Sequence, residues 1–391
     1  MTRGLPARGA SSDTPRLLLI GPCFPFRGGI AHYNALLSEH LRTRFEVRFF
    51  SLARQYGWAP YPGKSDRDPS SVAIEAVGAE ARLDTLKPWT WAMAGLCARD
   101  FDVVVLPWWV VFWAPYYLLL LTAARGSCAR FLFLCHNVIE HEPSWIKQRL
   151  SRLVLSRGHG FLVHSEEERK HLRELLGPNL KVAVSPHPSY RIFDLGRLDR
   201  SRARAELGIA DATDVLLFFG FIRPYKGLDY LLRAYARICA RRQNVLLLIV
   251  GESWKDEREP QGLIDKLGLR NAVRLVNRYV PNEAVEVYFK SADFLVAPYL
   301  SGTGSGVAQI AYSMRVPMVA TRIGAFAGVI EHGKTGLLVP PKDVTALEKA
   351  VETMLDQDTR RAMAANIERS TQQFDWSTLV SAVDELWRSA V

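Results

Sequence analysis

Short apolar runs free of charge recur along the chain, and each is followed by a stretch with apolar residues at helical spacing. That alternation constrains the fold more than any other feature. A strand that is apolar on both faces must be buried on both faces, and such strands, joined by amphipathic helices, pair in parallel through crossovers. In the first half the runs are Arg16–Ile20, Phe45–Ser51, Asp102–Leu106, Arg130–Cys135, Gly160–His164 and Val182–Ser185, with helical stretches such as Ile30–Leu41 and Glu166–Leu176 between them. In the second half they are Val215–Gly220, Val245–Gly251, Val273–Val276, Phe294–Ala297, Met318–Thr321 and Gly336–Val339. Helical patterns there fall at Leu228–Ala240, Gln261–Leu267, Asn282–Ser291, Val307–Arg315 and Asp343–Gln357. The pattern predicts an α/β protein of two Rossmann-like, doubly wound domains. A chain of 391 residues is also too long for one ordinary core. The join is expected near Phe193–Ala203, giving domains at 16–197 and 198–373 after a flexible start at 1–15.

With 48% hydrophobic and 23% charged residues, the chain is globular and not disordered. Its five cysteines have no metal-type spacing, and their odd number argues against a disulfide framework. Met1 to Pro15 lacks an apolar signal core. A cytoplasmic setting is expected. Val103 to Ala124 carries no charge, but Pro107 and Pro115 divide it. It reads as a buried strand, a Trp-rich loop and a short helix, Tyr116–Ala124, in preference to a membrane span. Residues 1–200 hold 26 Lys/Arg against 18 Asp/Glu, which places most of the net charge of +10 in the first half. A basic half with aromatics suits an anionic membrane surface, as would a peripheral protein at the inner face of a membrane. An Arg-rich composition without a partner accounts for it equally. Nucleic acid is disfavoured, because the aromatics lie in apolar runs and are not interleaved with the cations.

In doubly wound sheets, ligands bind off the carboxyl ends of the strands, so the residues that follow strands carry the chemistry. After Val215–Phe219 come Gly220, Arg223, Lys226 and Gly227, and then a helix with Leu228, Leu231, Leu232 and Tyr235 on one face. A diphosphate fits there, between two cations and a helix N-terminus. Each charge-assisted hydrogen bond to it is worth roughly 1.5–3 kcal/mol. A solvated surface loop is the alternative. After the first strand, Gly28 and Gly29 allow close backbone approach at a helix start, without forming a dinucleotide fingerprint. His136 ends the Arg130–Cys135 strand, where it can meet a substrate hydroxyl or serve the structure alone. Leu300–Val307 places Ser301, Thr303 and Ser305 among three glycines between a strand and a helix, which suits phosphate or sugar hydroxyls. Gly328–Thr335 spells GxxxxGKT, but Gly336–Val339 and two prolines follow it. A phosphate-binding P-loop would open a helix instead.

The ordered set resembles the family-4 glycosyltransferases of the GT-B fold. It comprises Gly28-Gly29, His136-Asn137, Val163-His-Ser-Glu-Glu, Gly220 with Lys226-Gly227, Val250-Gly251, Asp293 to Pro298, Pro317-Met-Val-Ala-Thr with Gly324, and Gly333-Lys-Thr-Gly-Leu-Leu-Val339. The match runs from about residue 16 to about residue 390. The resemblance implies two lobes facing across a cleft, and a tail helix from Phe374 (374–391) that crosses back to the first lobe. It implies a retaining, metal-independent transfer from a nucleotide diphosphate sugar, a UDP- or GDP-sugar, to a glycan or lipid-linked acceptor, with no cofactor.

By the same resemblance, His136 meets the transferred sugar, and Arg223 and Lys226 hold the diphosphate and offset the charge on the leaving group. Ser305 and Gly306 supply N–H groups to the same phosphates, and Gly28, Gly29 and Gly220 border the donor, with Thr303 in the loop. The family's acidic pair falls on Gly302 and Ile310, with Gln309 beside the second position but rotated roughly 100° on a helix. The family's Arg after the loop glycine is Phe221 here, with Arg223 as its substitute. A later family Glu falls on Gly328, with Glu331 nearby as the alternative contact. These departures keep two rivals open: a non-catalytic nucleotide-sugar-binding or scaffold relative, and a GT-B sugar epimerase.

Overall fold

The computed structural model describes residues 14–57, 65–139, 144–253, 259–302, 304–370 and 374–390. The first sheet holds β1 (Arg16–Ile20), β2 (Glu46–Arg54), β3 (Ala79–Asp84), β4 (Val103–Trp108), β5 (Arg130–Cys135), β6 (Gly160–Val163) and β7 (Val182–Val184). Their spatial order is β3-β2-β1-β4-β5-β6-β7. The second sheet holds β8 (Asp214–Phe219), β9 (Val245–Val250), β10 (Val273–Val276), β11 (Phe294–Ala297), β12 (Met318–Thr321) and β13 (Gly336–Val339). Its order, β10-β9-β8-β11-β12-β13, repeats the first six positions of the other sheet. Every pairing is parallel. The strand order therefore reverses between β1 and β4 in one sheet and between β8 and β11 in the other, and those two switch points set the crevice.

The inner strands are apolar because both faces are covered. All six residues of β4 are buried, Pro107 included. A proline is tolerated there because pairing to β1 ends at Val105, so its missing N–H breaks no bond on that side. The uncharged segment beyond it turns into the helix Ala114–Ala123. Among the described residues, no helix is long and apolar enough to cross a membrane. Side-chain caps fix several helix starts: Ser165 Oγ accepts from Glu168 N at 3.2 Å, and Asp343 accepts from Ala346 N at 2.8 Å. In the second lobe Arg204, fully buried, donates to the carbonyls of Asp211, Thr213 and Ser291 and to Asp293. Every face of its guanidinium that leaves water thus finds an acceptor.

The inward layers of the two sheets merge into one apolar cluster through Tyr190 and Phe193, and the tail helix Trp376–Ala390 joins it with Trp376, Leu379 and Val383. That helix lies against β5, β6 and β7 of the first lobe. Trp376 stacks on His40 with ring centroids 5.1 Å apart and donates from Nε1 to Ser189 O at 3.2 Å. Polar contacts also bridge the lobes. Glu283 accepts from Ser71 Oγ at 2.7 Å and from Ser71 N at 3.1 Å. Arg27 and Glu252 form a two-pronged pair at 2.9 and 3.0 Å, with each side chain only 3% exposed.

Replacing Glu252 with Gln keeps the shape but leaves the Arg27 charge buried against a neutral amide. Removing one partner of a buried pair costs on the order of 3–5 kcal/mol. The expected result is a lower unfolding midpoint in urea, or a larger radius of gyration by small-angle scattering as the lobes separate. Should both measurements match the parent protein, the pair does not hold the lobes together.

Candidate active site

The carboxyl ends of the two sheets face each other across a cavity of about 340 Å³. The first lobe contributes Gly28, Gly29, Tyr33, His136, His164 and His187 to its lining. From the second lobe come Phe221, Arg223, Tyr225, Lys226, Gly304 and Gly306. An adjoining, more apolar cavity of about 200 Å³ adds Gly220, Gly251, Glu252, Tyr279, Val280 and Ile310. The structure thus brings together Gly28, Gly29, His136, Gly220, Arg223, Lys226 and Gly306 from the expected set.

The cationic side is built by glycines. Strand β8 ends at Gly220 with φ +96°, and β9 ends at Gly251, where a Cβ would lie 2.1 Å from Gly220 O. Only a junction bare of side chains fits there. The chain then makes a single tight turn, Pro224–Lys226, and leaves it through Gly227 at φ +67°. The turn folds Lys226 back over the strand end, so that a Cβ on Gly220 would sit 2.8 Å from Lys226 Nζ. The ammonium lies 5.0 Å from the Tyr299 ring, and the residue is 7% exposed. Burial first, and the Arg223 charge second, pull its pKa down to about 7. Among the described residues no carboxylate pairs with Lys226. An anion in the cavity would relieve both penalties.

Two helices start at the cavity. Gly28, at φ +113°, precedes the helix Gly29–Leu41, and a Cβ on either glycine would meet nothing within 4 Å. These glycines therefore border open space, and Gly28 provides a left-handed turn. Ser305 precedes the helix Gly306–Ser313, with its hydroxyl accepting from Ala308 N at 3.3 Å. The Ser305 hydroxyl caps that helix, and Gly306 is the residue of that pair lining both cavities. A Cβ on Gly306 would press within 3.1 Å of the Tyr190 ring.

Two expected donor contacts are displaced. Gln309 is fully buried and lines neither cavity, because the helix turns it roughly 100° away from Ile310, which does line one. Glu331 lies outside both cavities and pairs with Lys334. Thr303 lies outside the described residues. Neither Gly302 nor Ile310 brings a carboxylate, and the carboxylate in the apolar cavity is Glu252, held by Arg27. In the P-loop look-alike, Thr335 Oγ1 accepts from Tyr312 Oη at 2.6 Å and from Glu331 N at 2.9 Å. That stretch braces β13.

The facing wall is a histidine cluster that motif reading only partly found. His136 follows β5, His164 follows β6 and His187 lies just past β7, so adjacent parallel strands set them side by side. Ring centroids are 5.4 Å apart for His136 and His164, and 5.0 Å for His164 and His187. Tyr33 packs against all three at 4.6, 5.5 and 5.1 Å. His164 Nδ1 lies 2.9 Å from Ser185 O, and His187 Nδ1 lies 3.0 Å from Pro188 O. A carbonyl only accepts, so each Nδ1 carries the hydrogen and each Nε2 is an acceptor. Tyr33 Oη and His164 Nε2 are buried with no protein partner. Burial lowers all three pKa values, and the neighbouring rings repel further at His136 and His187. His164 falls to about 4 and His187 to about 3. The wall is therefore neutral and hydrogen-bonding where the opposite wall is cationic. A His after each of three successive strands was the available sequence signal.

These histidines set an acid limit. Their folded pKa values lie below the unfolded value near 6.5, so the unfolded chain binds more protons and stability falls as pH drops below about 6.5. Each contributes about 1.4 kcal/mol per pH unit until its folded pKa is reached. Urea unfolding at pH 7, 6 and 5 should show this slope, and His187→Gln should lower it by one proton. An equal slope in that variant would remove His187 from the account.

Residues 28–188 match the model of the "glycosyl transferase 4-like domain", and residues 199–371 match "glycosyl transferases group 1". D-inositol 3-phosphate glycosyltransferase of Corynebacterium glutamicum is 29% identical over 239 residues, 59% of this chain and 57% of that protein. The Kineococcus radiotolerans protein of the same name is 30% identical over 249 residues, 59% of this chain and 57% of its own length. The chain thus spans less than two thirds of these relatives. Among solved structures, HepE of Anabaena in complex with UDP-glucose superposes with a TM-score of 0.75 at 17% identity, covering 95% of this chain and 99% of that one. Sucrose-phosphate synthase of Thermosynechococcus elongatus gives 0.73 at 18%, covering 96% and 98%. At such identities the superpositions establish the fold, two Rossmann-like lobes in the GT-B arrangement. With both of its halves matched by glycosyltransferase models, the chain belongs to the family-4 glycosyltransferases of the GT-B fold.

Proposed function

We propose that this protein transfers a sugar, with retention of anomeric configuration and without a metal, from a nucleotide diphosphate sugar to an acceptor hydroxyl. The observation that carries the reading is the convergence of Arg223, Lys226 and the Gly306 helix start on one cavity. A diphosphate there recharges Lys226 and faces helix N–H groups, so charge building on the leaving group is met by donors already in place. The adjoining apolar cavity, with Tyr279, Phe221 and Val280, suits a planar base. UDP is the first candidate, because HepE is described in complex with UDP and with UDP-glucose. The sugar then projects towards His136, whose ring offers a neutral hydrogen-bonding partner to its hydroxyls. The acceptor, a glycan or lipid-linked sugar, approaches past Tyr56 and Trp109 on the first lobe.

Lys226→Ala should lower turnover about 10²–10³-fold, the scale of one preorganised donor to a developing oxyanion, with the fold intact. Undiminished turnover would reject the assignment. The wild-type site also has a proton signature. With the free ammonium near pKa 7, binding UDP-glucose at pH 8 should take up close to one proton, and affinity should weaken about tenfold per unit above pH 7. Calorimetry in two buffers of different ionisation enthalpy reads this directly. Equal heats in both would show that Lys226 does not meet the diphosphate.

A second reading, a nucleotide-sugar-binding protein without transfer activity, is favoured by the missing carboxylates at Gly302 and Ile310. Calorimetric binding with no donor hydrolysis or transfer across a broad acceptor panel would establish it.

A further inference from the structure

On the first lobe, three helices pack in sequence: Trp89–Cys97 on Ala114–Ala123, and Ala114–Ala123 on Trp145–Leu155. The first two are unusual for surface helices, because neither contains a charged residue. They approach closely at Gly95, where a Cβ would lie 2.2 Å from Leu120 O. Trp89, Met93 and Leu96 recur at helical spacing and point outward, with Trp89 59% and Met93 56% exposed. Leu119 is exposed on the next helix. On the third, Trp145 is 67% exposed, and Ile146 and Leu153 share its open face.

That open face also carries Arg149 and Arg152, and the helix holds Lys147 and no acidic residue. Lys87 precedes the first helix, Arg99 follows it and Arg125 follows the second. Apolar side chains standing above a cationic border are what an interfacial surface needs. A protein partner of ordinary composition would call for acids to match the cations, whereas an anionic bilayer supplies both acyl chains and phosphates. The chain links the patch to the cleft. Trp109 lines the cavity, and two residues later Val111–Trp113 lead into the uncharged second helix.

We propose that this three-helix face docks on an anionic lipid surface, with Trp89, Met93, Leu96 and Trp145 entering the interface and Arg149 and Arg152 meeting lipid phosphates. The net charge of the first half alone gives no such location. The apolar stripe gives one. The proposal does not depend on which sugar or nucleotide the cleft takes.

Sedimentation of the whole protein with vesicles tests it. Vesicles of phosphatidylglycerol and phosphatidylcholine in equal parts should bind the protein, pure phosphatidylcholine much less, and raising salt from about 0.05 M to about 0.5 M should weaken the anionic binding. Trp89→Ser combined with Met93→Ser and Leu96→Ser should weaken it about tenfold or more. Arg149→Glu with Arg152→Glu should remove most of the salt dependence. All five side chains are exposed, so unchanged thermal midpoints should accompany the losses, and unchanged stabilisation by UDP would keep a failure here separate from a failure at the cleft. Failure of the parent protein to bind either vesicle, or triple-serine binding equal to the parent's, overturns the proposal. So does a concentration-dependent dimer that the serine variant abolishes and vesicles do not compete for, since the face would then belong to a second copy.

Discussion

The two-pronged pair between Arg27 and Glu252 is the contact on which the cleft depends. It joins residues 225 positions apart, one from each lobe, and both side chains are out of water. Arg27 also lies over two aromatic rings, 5.4 Å from the Phe221 centroid and 4.9 Å from that of Tyr279. Desolvating two charges costs about as much as their attraction returns, so such a pair adds little net stability. What it supplies is orientation. Any rotation of the lobes that separates the charges without rehydrating them is penalised, while full opening lets water replace the lost contact. Because Arg27 immediately precedes Gly28 and Gly29, the pair fixes those glycines at the cavity that Arg223 and Lys226 also line.

Within that frame the cleft divides its chemistry between its walls. Lys226 and Arg223 face the cavity from the second lobe, and Lys226 is held there at a cost in hydration. The first lobe answers with three neutral imidazoles and the Tyr33 hydroxyl. An anion is thereby sorted to one side, and hydroxyls, which both donate and accept, to the other. The asymmetry follows from topology: parallel strands deliver whatever follows them to one edge, and the two sheets present those edges to each other.

Much of this was legible from the sequence, for identifiable reasons. Strands buried on both faces write themselves as apolar runs, so β5, β10, β11, β12 and β13 fall where the composition puts them. The edge strand β3 was missed, since Ala79–Asp84 has no such run and pairs its Glu80 with Arg48 of β2 instead. Gly220, Lys226 and His136 follow strand ends, and the carboxyl ends of the strands are what line the cavities. Gln309 and Glu331 lie outside both cavities, because nearness in sequence to a family position says nothing about the rotation of a helix or the direction of a turn. Arg27 with Glu252, and His187 with Tyr33, join segments distant in the sequence, the first across the lobes and the second within one, and the folded packing discloses both pairings.

The departures from the family pattern have a common location, and that bears on whether they represent decay. Phe221 stands where the family has an arginine, yet Arg223 lines the same cavity two residues on, and the Arg27 guanidinium crosses from the facing lobe onto the Phe221 ring. Ile310 stands where the family has a glutamate, and it lines a cavity whose own carboxylate, Glu252, is matched by that same Arg27. A site drifting free of selection would accumulate buried charges without partners, each costing several kcal/mol. Here Arg27 and Glu252 pair across the cleft, and Lys226 faces the space a diphosphate would fill.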